Sequence, residues 1–170
     1  MAYTYSKIST VTVGSGGSSS IAFIAIPQNY TDLLVKLSTR DSRNNNPYNE
    51  LGVAFNGSAT YSRRILYGVG NSAGSTSDST GNWLYNDGNT ASSSVFSNAE
   101  LYIPNYTSSN NKSISADVAT EDNGTGNALV LTAGLATLTS AITSITLTPN
   151  LSFSFLQYST ATLYGIKAEV

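Results

Sequence analysis

Few side-chain types carry chemistry, and this chain of 170 residues is short of them. It has no histidine and no cysteine. That removes the commonest general base, the middle member of a catalytic triad, thiolate nucleophiles, disulfides and sulfur-ligated metals. Ten acidic residues remain, and only Glu121 and Asp122 are adjacent. A glycosidase needs two carboxyls facing each other across a sugar, and no spacing here brings such a pair forward. The residue types argue against an enzyme. Asp117, Glu121 and Asp122, with Asn123, offer the hard oxygen ligands that calcium takes from loops, although the spacing is not that of an EF-hand. No other cofactor is expected. Aromatic faces are more plentiful: eleven tyrosines and one tryptophan. Trp83 and Tyr85, inside a long polar interval, and Tyr106, among asparagines, are the candidates for stacking on a carbohydrate, with neighbouring asparagines as adaptable hydrogen-bonding groups. The plainer reading is that tyrosines in strands pack at a sheet edge or subunit contact with their hydroxyls wet.

Charge narrows the partners. The net charge is −2, charged residues make up 11% of the chain, and Arg63-Arg64 is the only adjacent basic pair. Phosphate neutralisation needs clustered Lys and Arg, so nucleic acid is not an expected partner. No apolar run approaches the length of a membrane span, and the opening MAYTYSKIST has no basic-then-apolar signal segment. A composition that looks extracellular, without signal or disulfide, suggests another route out of the cell, such as a virus particle released by lysis.

The elements that must position these residues are strands. Around Ser140 to Val170, β-branched and aromatic residues alternate with polar ones and are broken by Pro149-Asn150, which reads as strand, turn, strand. Leu33, Val35 and Leu37 alternate with Leu34, Lys36 and Ser38, and Ile114, Ala116 and Val118 point inward from the Lys112 to Thr120 run. Asn56-Gly57 is a strong hairpin signal between Leu51–Phe55 and Tyr61–Val69. A helix over Gly134 to Ala141 is possible but poorly supported, with several Thr and Ser and no clear cap. The expectation is an all-β antiparallel sandwich or barrel of about ten strands in a single domain over residues 1–170. Residues 1–20 would hold a first strand and a Gly/Ser-rich connector, and 70–98 a long polar loop with a short strand at Trp83 to Tyr85. Tyr61 to Val69 is apolar on both faces and its orientation stays open. A two-faced strand is what a subunit or capsid contact requires, so Tyr61, Arg63, Arg64 and Tyr67 are the contact candidates.

Four segments carry a resemblance: YSRRILYG (Tyr61 to Gly68), AELYIPNYTSSNNKSIS (Ala99 to Ser115), TAGLATLTSAITSITLTP (Thr132 to Pro149) and QYSTATLYGIKA (Gln157 to Ala168). They resemble a group of small β proteins of tailed bacteriophages, especially aquatic ones, over nearly the whole chain from Tyr3. The resemblance implies a jelly-roll-like sandwich and a place in the virion, with no catalytic residues to transfer. It implies a protein made in the host cytoplasm and built into particles. The expected partners are other copies of the chain, with a trimer favoured, other virion proteins such as the major capsid protein, and possible contact with a host surface glycan. No membrane partner is expected. The first functional expectation is a capsid decoration, as cement or head-fibre module. The second is a tail-fibre or tail-tip module binding host polysaccharide, and the third a free-standing carbohydrate-binding module or adhesin.

Overall fold

The computed structural model describes residues 3–57, 60–124 and 126–168. Among these the chain forms twelve strands: β1 (Tyr3–Thr12), β2 (Ile21–Phe23), β3 (Asp32–Thr39), β4 (Tyr48–Phe55), β5 (Thr60–Val69), β6 (Ser72–Asp78), β7 (Asn82–Asp87), β8 (Ser97–Ile103), β9 (Lys112–Thr120), β10 (Ala128–Thr137), β11 (Ile145–Pro149) and β12 (Thr160–Ala168). A single 3-10 turn follows β11 at Asn150–Ser152. Two antiparallel sheets result. One has eight strands in the order β1-β12-β3-β8-β9-β10-β5-β6, and the other has four in the order β2-β11-β4-β7.

Eight of the strands nest. β1 pairs with β12, β2 with β11, β3 with β8 and β4 with β7, while β12 also pairs with β3 and β11 with β4. First with last and second with second-last is the pairing of a jelly roll, two sheets laid face to face. The other four strands are insertions: β5 and β6 fall between β4 and β7, and β9 and β10 between β8 and β11. They pair in the order β9-β10-β5-β6 and lengthen one sheet beyond β8.

Period-2 burial supplies the core, as the alternation predicts. Leu33, Val35 and Leu37 from β3, Ala99, Leu101 and Ile103 from β8, and Ile114, Ala116 and Val118 from β9 meet Leu51, Val53, Phe55, Ile145 and Leu147 of the small sheet. Trp83 sits fully buried in this layer, its ring 5.6 Å from Phe55 and 5.1 Å from Tyr61. Gly134 of β10 makes room for it: a Cβ there would lie 2.7 Å from both Trp83 Cε2 and Ile114 Cδ1.

Four sequence expectations are corrected. Residues 70–98 are not one long loop, because β6 and β7 run through them, and the short strand expected at Trp83 to Tyr85 is β7, at the edge of the small sheet. Asn56-Gly57 does not close a hairpin, since β4 and β5 lie in different sheets. The Asn56 side chain instead binds the chain before β11, accepting from the amides of Thr143 and Ser144 and donating to Ala141 O at 2.8 Å. At the C-terminus, Pro149-Asn150 leads not into a paired strand but into the 3-10 turn and an irregular stretch. There Phe155 is buried and holds only isolated bridges to Ser18 and Asp41. The possible helix after Gly134 is absent, because β10 continues to Thr137.

Candidate functional site

The least expected feature lies on the outside of the inserted strands. β10 reads ALVLTAGLAT, with the even-numbered residues Ala128 to Ala136 buried and the odd-numbered ones exposed. Its larger residues therefore face away from the core. Leu129, Leu131 and Leu135 are 63%, 54% and 41% exposed, and Leu66 of β5, directly across from Leu131, is 60% exposed. The register extends this face in both directions. One row runs Lys36, Glu100, Asp117, Leu131, Leu66, Ser75 from β3 to β6. The next runs Ser38, Asn98, Ala119, Leu129, Gly68, Ala73, and the one on the other side Leu34, Tyr102, Ser115, Ala133, Arg64, Ser77. The leucines cluster on β10 and β5, between the polar residues of β9 on one side and the serines of β6 on the other.

The charges along it are unevenly matched. Lys36 Nζ lies 2.6 Å from Glu100 Oε1 on the exposed surface. Asp117 stands across from Glu100, and among the described residues it has no ion pair of its own. Partial burial, with Glu100 beside it, raises its carboxyl above the usual range, and Lys36 opposes this. Arg64, on the far side of β10, is exposed and has no ion pair among the described residues either.

The four proposed contact residues are divided by strand alternation. Arg64 reaches the outer face, whereas Tyr61, Arg63 and Tyr67 turn inward, and this settles the orientation of β5 that the sequence left open. Phe55 N–H donates to Tyr61 Oη at 3.0 Å, and Tyr67 lies over Gly74 of β6. Arg63 is a clasp between the sheets. Its guanidinium donates to both carboxylate oxygens of Asp78, to Glu50 Oε1 at 2.8 Å and to the carbonyl of Asn82. Burial opposes its charge, but the Asp78 and Glu50 carboxylates outweigh this and raise its pKa. Glu50 also accepts from Asn82, Tyr85 and Asn150.

The aromatic candidates for sugar contact are also removed from the surface. Trp83 and Tyr106 are fully buried. Tyr106 Oη donates to the carbonyl of Pro27, and burial raises its pKa. Tyr85 is half-buried, packs against Tyr48 with ring centroids 5.8 Å apart, and donates to Glu50 Oε1 at 3.0 Å. Burial, with Glu50 beside it, raises its pKa well above the usual phenol value.

The three acidic residues offered for calcium do not converge. Asp117 stays on the outer face of β9, while Glu121 accepts from Asn123 N–H and Asn127 Nδ2, and Asp122 from the amides of Gly124 and Ser92. Among the described residues no group of three acidic, His or Cys side chains could hold a metal ion. A different carboxylate is the perturbed one. Asp87 is 1% exposed, its Oδ2 has no hydrogen-bond partner, and burial pushes its carboxyl up to about 6. Asp122, Asp41 and Glu121 add to that shift, while Arg40 opposes it. Arg40 spends its own donors on the carbonyls of Asn89, Ala91, Ser92 and Val95, fixing the loop between β7 and β8.

That loop walls a cleft of about 540 Å³ that the sequence did not signal. Phe96, Leu156, Gln157 and Tyr158 line it together with Ser15 of the Gly/Ser-rich connector and Ser42, Ser94 and Ser154. Tyr158 is 68% exposed and holds a left-handed φ of 74°, where a bulky residue is strained. Comparison with family models, with curated proteins and with solved structures gives no match.

Proposed function

We propose that this chain is a non-enzymatic structural module of a bacteriophage virion, displayed as a decoration of the capsid, with its inserted strands as a surface for protein contact. The observation that carries this reading is the leucine face. Four leucines leave on the order of 400 Å² of apolar side chain in water, the size of the largest patch on a typical monomer, which is often functional. They sit on the two strands next to the β6 edge of the large sheet, flanked by alanine and glycine. A jelly roll is a common architecture of capsid and lectin domains, which supports the setting only by analogy. The phage resemblance of the YSRRILYG and TAGLATLTS segments falls on β5 and β10, the strands that carry the face.

The test is the abundance of the chain in purified particles relative to the major capsid protein. Repeated docking on a symmetric shell gives about one copy per capsid subunit, or about one per three. Absence from particles overturns the reading. A tail-tip module that binds host polysaccharide is the second reading, and the cleft beside Tyr158 favours it, because an exposed aromatic over a groove of hydroxyls is suited to a sugar ring. For that reading abundance falls below about one per thirty capsid subunits, and Tyr158→Ala abolishes glycan binding.

A further inference from the structure

We propose that the leucine face pairs with the same face of a second copy, about a two-fold axis that runs parallel to the strands between β10 and β5. This rests on the reading above only in taking the face as a protein contact, and it holds for head or tail alike.

The register makes the face complementary to itself. Aligned sheets pack about 10 Å apart. With the axis between β10 and β5, Leu131 of each copy stands over Leu66 of the other, the two residues being cross-strand neighbours within one chain. Leu129 stands over Gly68, where a Cβ would meet nothing within 4 Å, so a large side chain faces an open position. The flanking strands follow: β9 of one copy lies over β6 of the other, setting Ala119 against Ala73 and the Asp117 carboxylate near the Ser75 hydroxyl.

Charge agrees with this geometry. Arg64 of one copy comes to lie one strand and one two-residue step from Asp117 of the other, about 8 Å sideways, which an extended guanidinium side chain can span. These are a cation and a carboxylate that lack ion pairs within the described residues of their own chain. A closed trimer needs two different patches that fit each other, whereas a two-fold contact needs one patch that fits itself. Of the remaining exposed large apolar residues, Tyr5 and Tyr102 lie on the β1 and β8 strands of the same sheet, and Ile24, Leu151 and Tyr158 stand on separate elements. The contact is a dimer, not the trimer expected from the sequence.

Its strength follows from its size. Four strands across and the seven residues of β6 along give a flat footprint of roughly 500 Å². Side-chain relief brings that to about 600 Å² per partner, the low end of specific interfaces. A reversible dimer of micromolar order is expected.

Sedimentation of the purified full chain across low to high micromolar concentrations tests this. The mass should rise from 17.8 kDa to twice that value. Leu131→Lys, at a position open to solvent in the monomer, should leave a folded monomer by circular dichroism. Arg64→Asp and Asp117→Arg should each weaken the dimer, and the double exchange should restore it, since each new charge again faces its opposite. A chain that stays monomeric, or that forms trimers, overturns the proposal. So does a dimer untouched by Leu131→Lys, or a double exchange no better than the single ones. The two readings fail separately. A monomer found in particles defeats the pairing alone, and a dimer absent from particles defeats the virion role alone.

Discussion

Replacing Trp83 with alanine should unfold part of the core, with no effect confined to a ligand. The indole is fully buried between Phe55 and Tyr61 and is seated against Gly134. Truncating a buried tryptophan costs about 3–5 kcal/mol, through lost transfer energy and the cavity left behind. In a chain of this length each kcal/mol lowers the melting temperature by about 2–4 °C, so a drop of roughly 6–20 °C is expected. Trp83→Phe should cost less than about 2 kcal/mol, because it keeps most of the ring and deletes an indole N–H that has no hydrogen-bond partner. Urea denaturation followed by circular dichroism measures both variants. The wild-type chain offers a second readout, since its only tryptophan should emit at short wavelength, resist aqueous quenchers and ignore added sugars. A Trp83→Ala variant within about 1 kcal/mol of wild type, or a readily quenched indole, would refute the placement of Trp83 at the centre of the sandwich.

Two further outcomes follow from the polar groups. Arg63→Met should destabilise the chain by about 1–3 kcal/mol, because it removes charged hydrogen bonds to Glu50 and Asp78 and unclasps β5 from the small sheet, while Glu50 keeps Asn82, Tyr85 and Asn150 and Asp78 keeps Thr80; equal urea midpoints for variant and wild type would contradict this. Asp87 titrates near 6 when folded against about 3.9 unfolded, so the native state holds the proton more tightly. The stability from this group is complete below about pH 4 and falls, by up to about 2–3 kcal/mol, as pH rises through 6. Asp87→Asn should therefore match wild type near pH 4 and exceed it at pH 8, and parallel melting profiles at both pH values would sink the assignment.

The regular strands were legible in the sequence because a face that is half wet leaves a period of two. β9 reads correctly to the residue, since Ile114, Ala116 and Val118 have polar neighbours between them, whereas on β3 Leu34, expected on the open face, is buried along with Leu33, Val35 and Leu37. The same logic gave no direction on β5, where both faces carry apolar residues. Asn56-Gly57 misled because a turn signal reports the bend and not the partners of the strands it joins. Here the Asn56 amide serves the chain before β11. Trp83 looked like a surface aromatic because its neighbours Gly81, Asn82 and Asn86 are small or polar. Those polar groups are spent on other contacts, with Asn82 Nδ2 on Glu50 and Asn86 Nδ2 on the carbonyl of Asp87. The cleft at Tyr158 left no trace, because a left-handed tyrosine is fixed by distant contacts such as its amide on Val13 O.

The buried tryptophan also accounts for half of the unusual face. A large ring lying against β10 from inside leaves no room for a side chain at its contact, and the sequence supplies Gly134 there. Nothing inside the monomer asks for leucine on the opposite side. Each exposed leucine there forgoes the ~1.5–3 kcal/mol that burial would contribute, and threonine or serine would serve the strand as well, as they do on β6 and β9. β9, β10 and β5 give their inner faces to the one common core, and the outer surface of the inserted strands is not needed to complete it. Side chains that do not stabilise the chain that carries them are explained by what covers them, and the inserted strands make sense as a surface built for another protein.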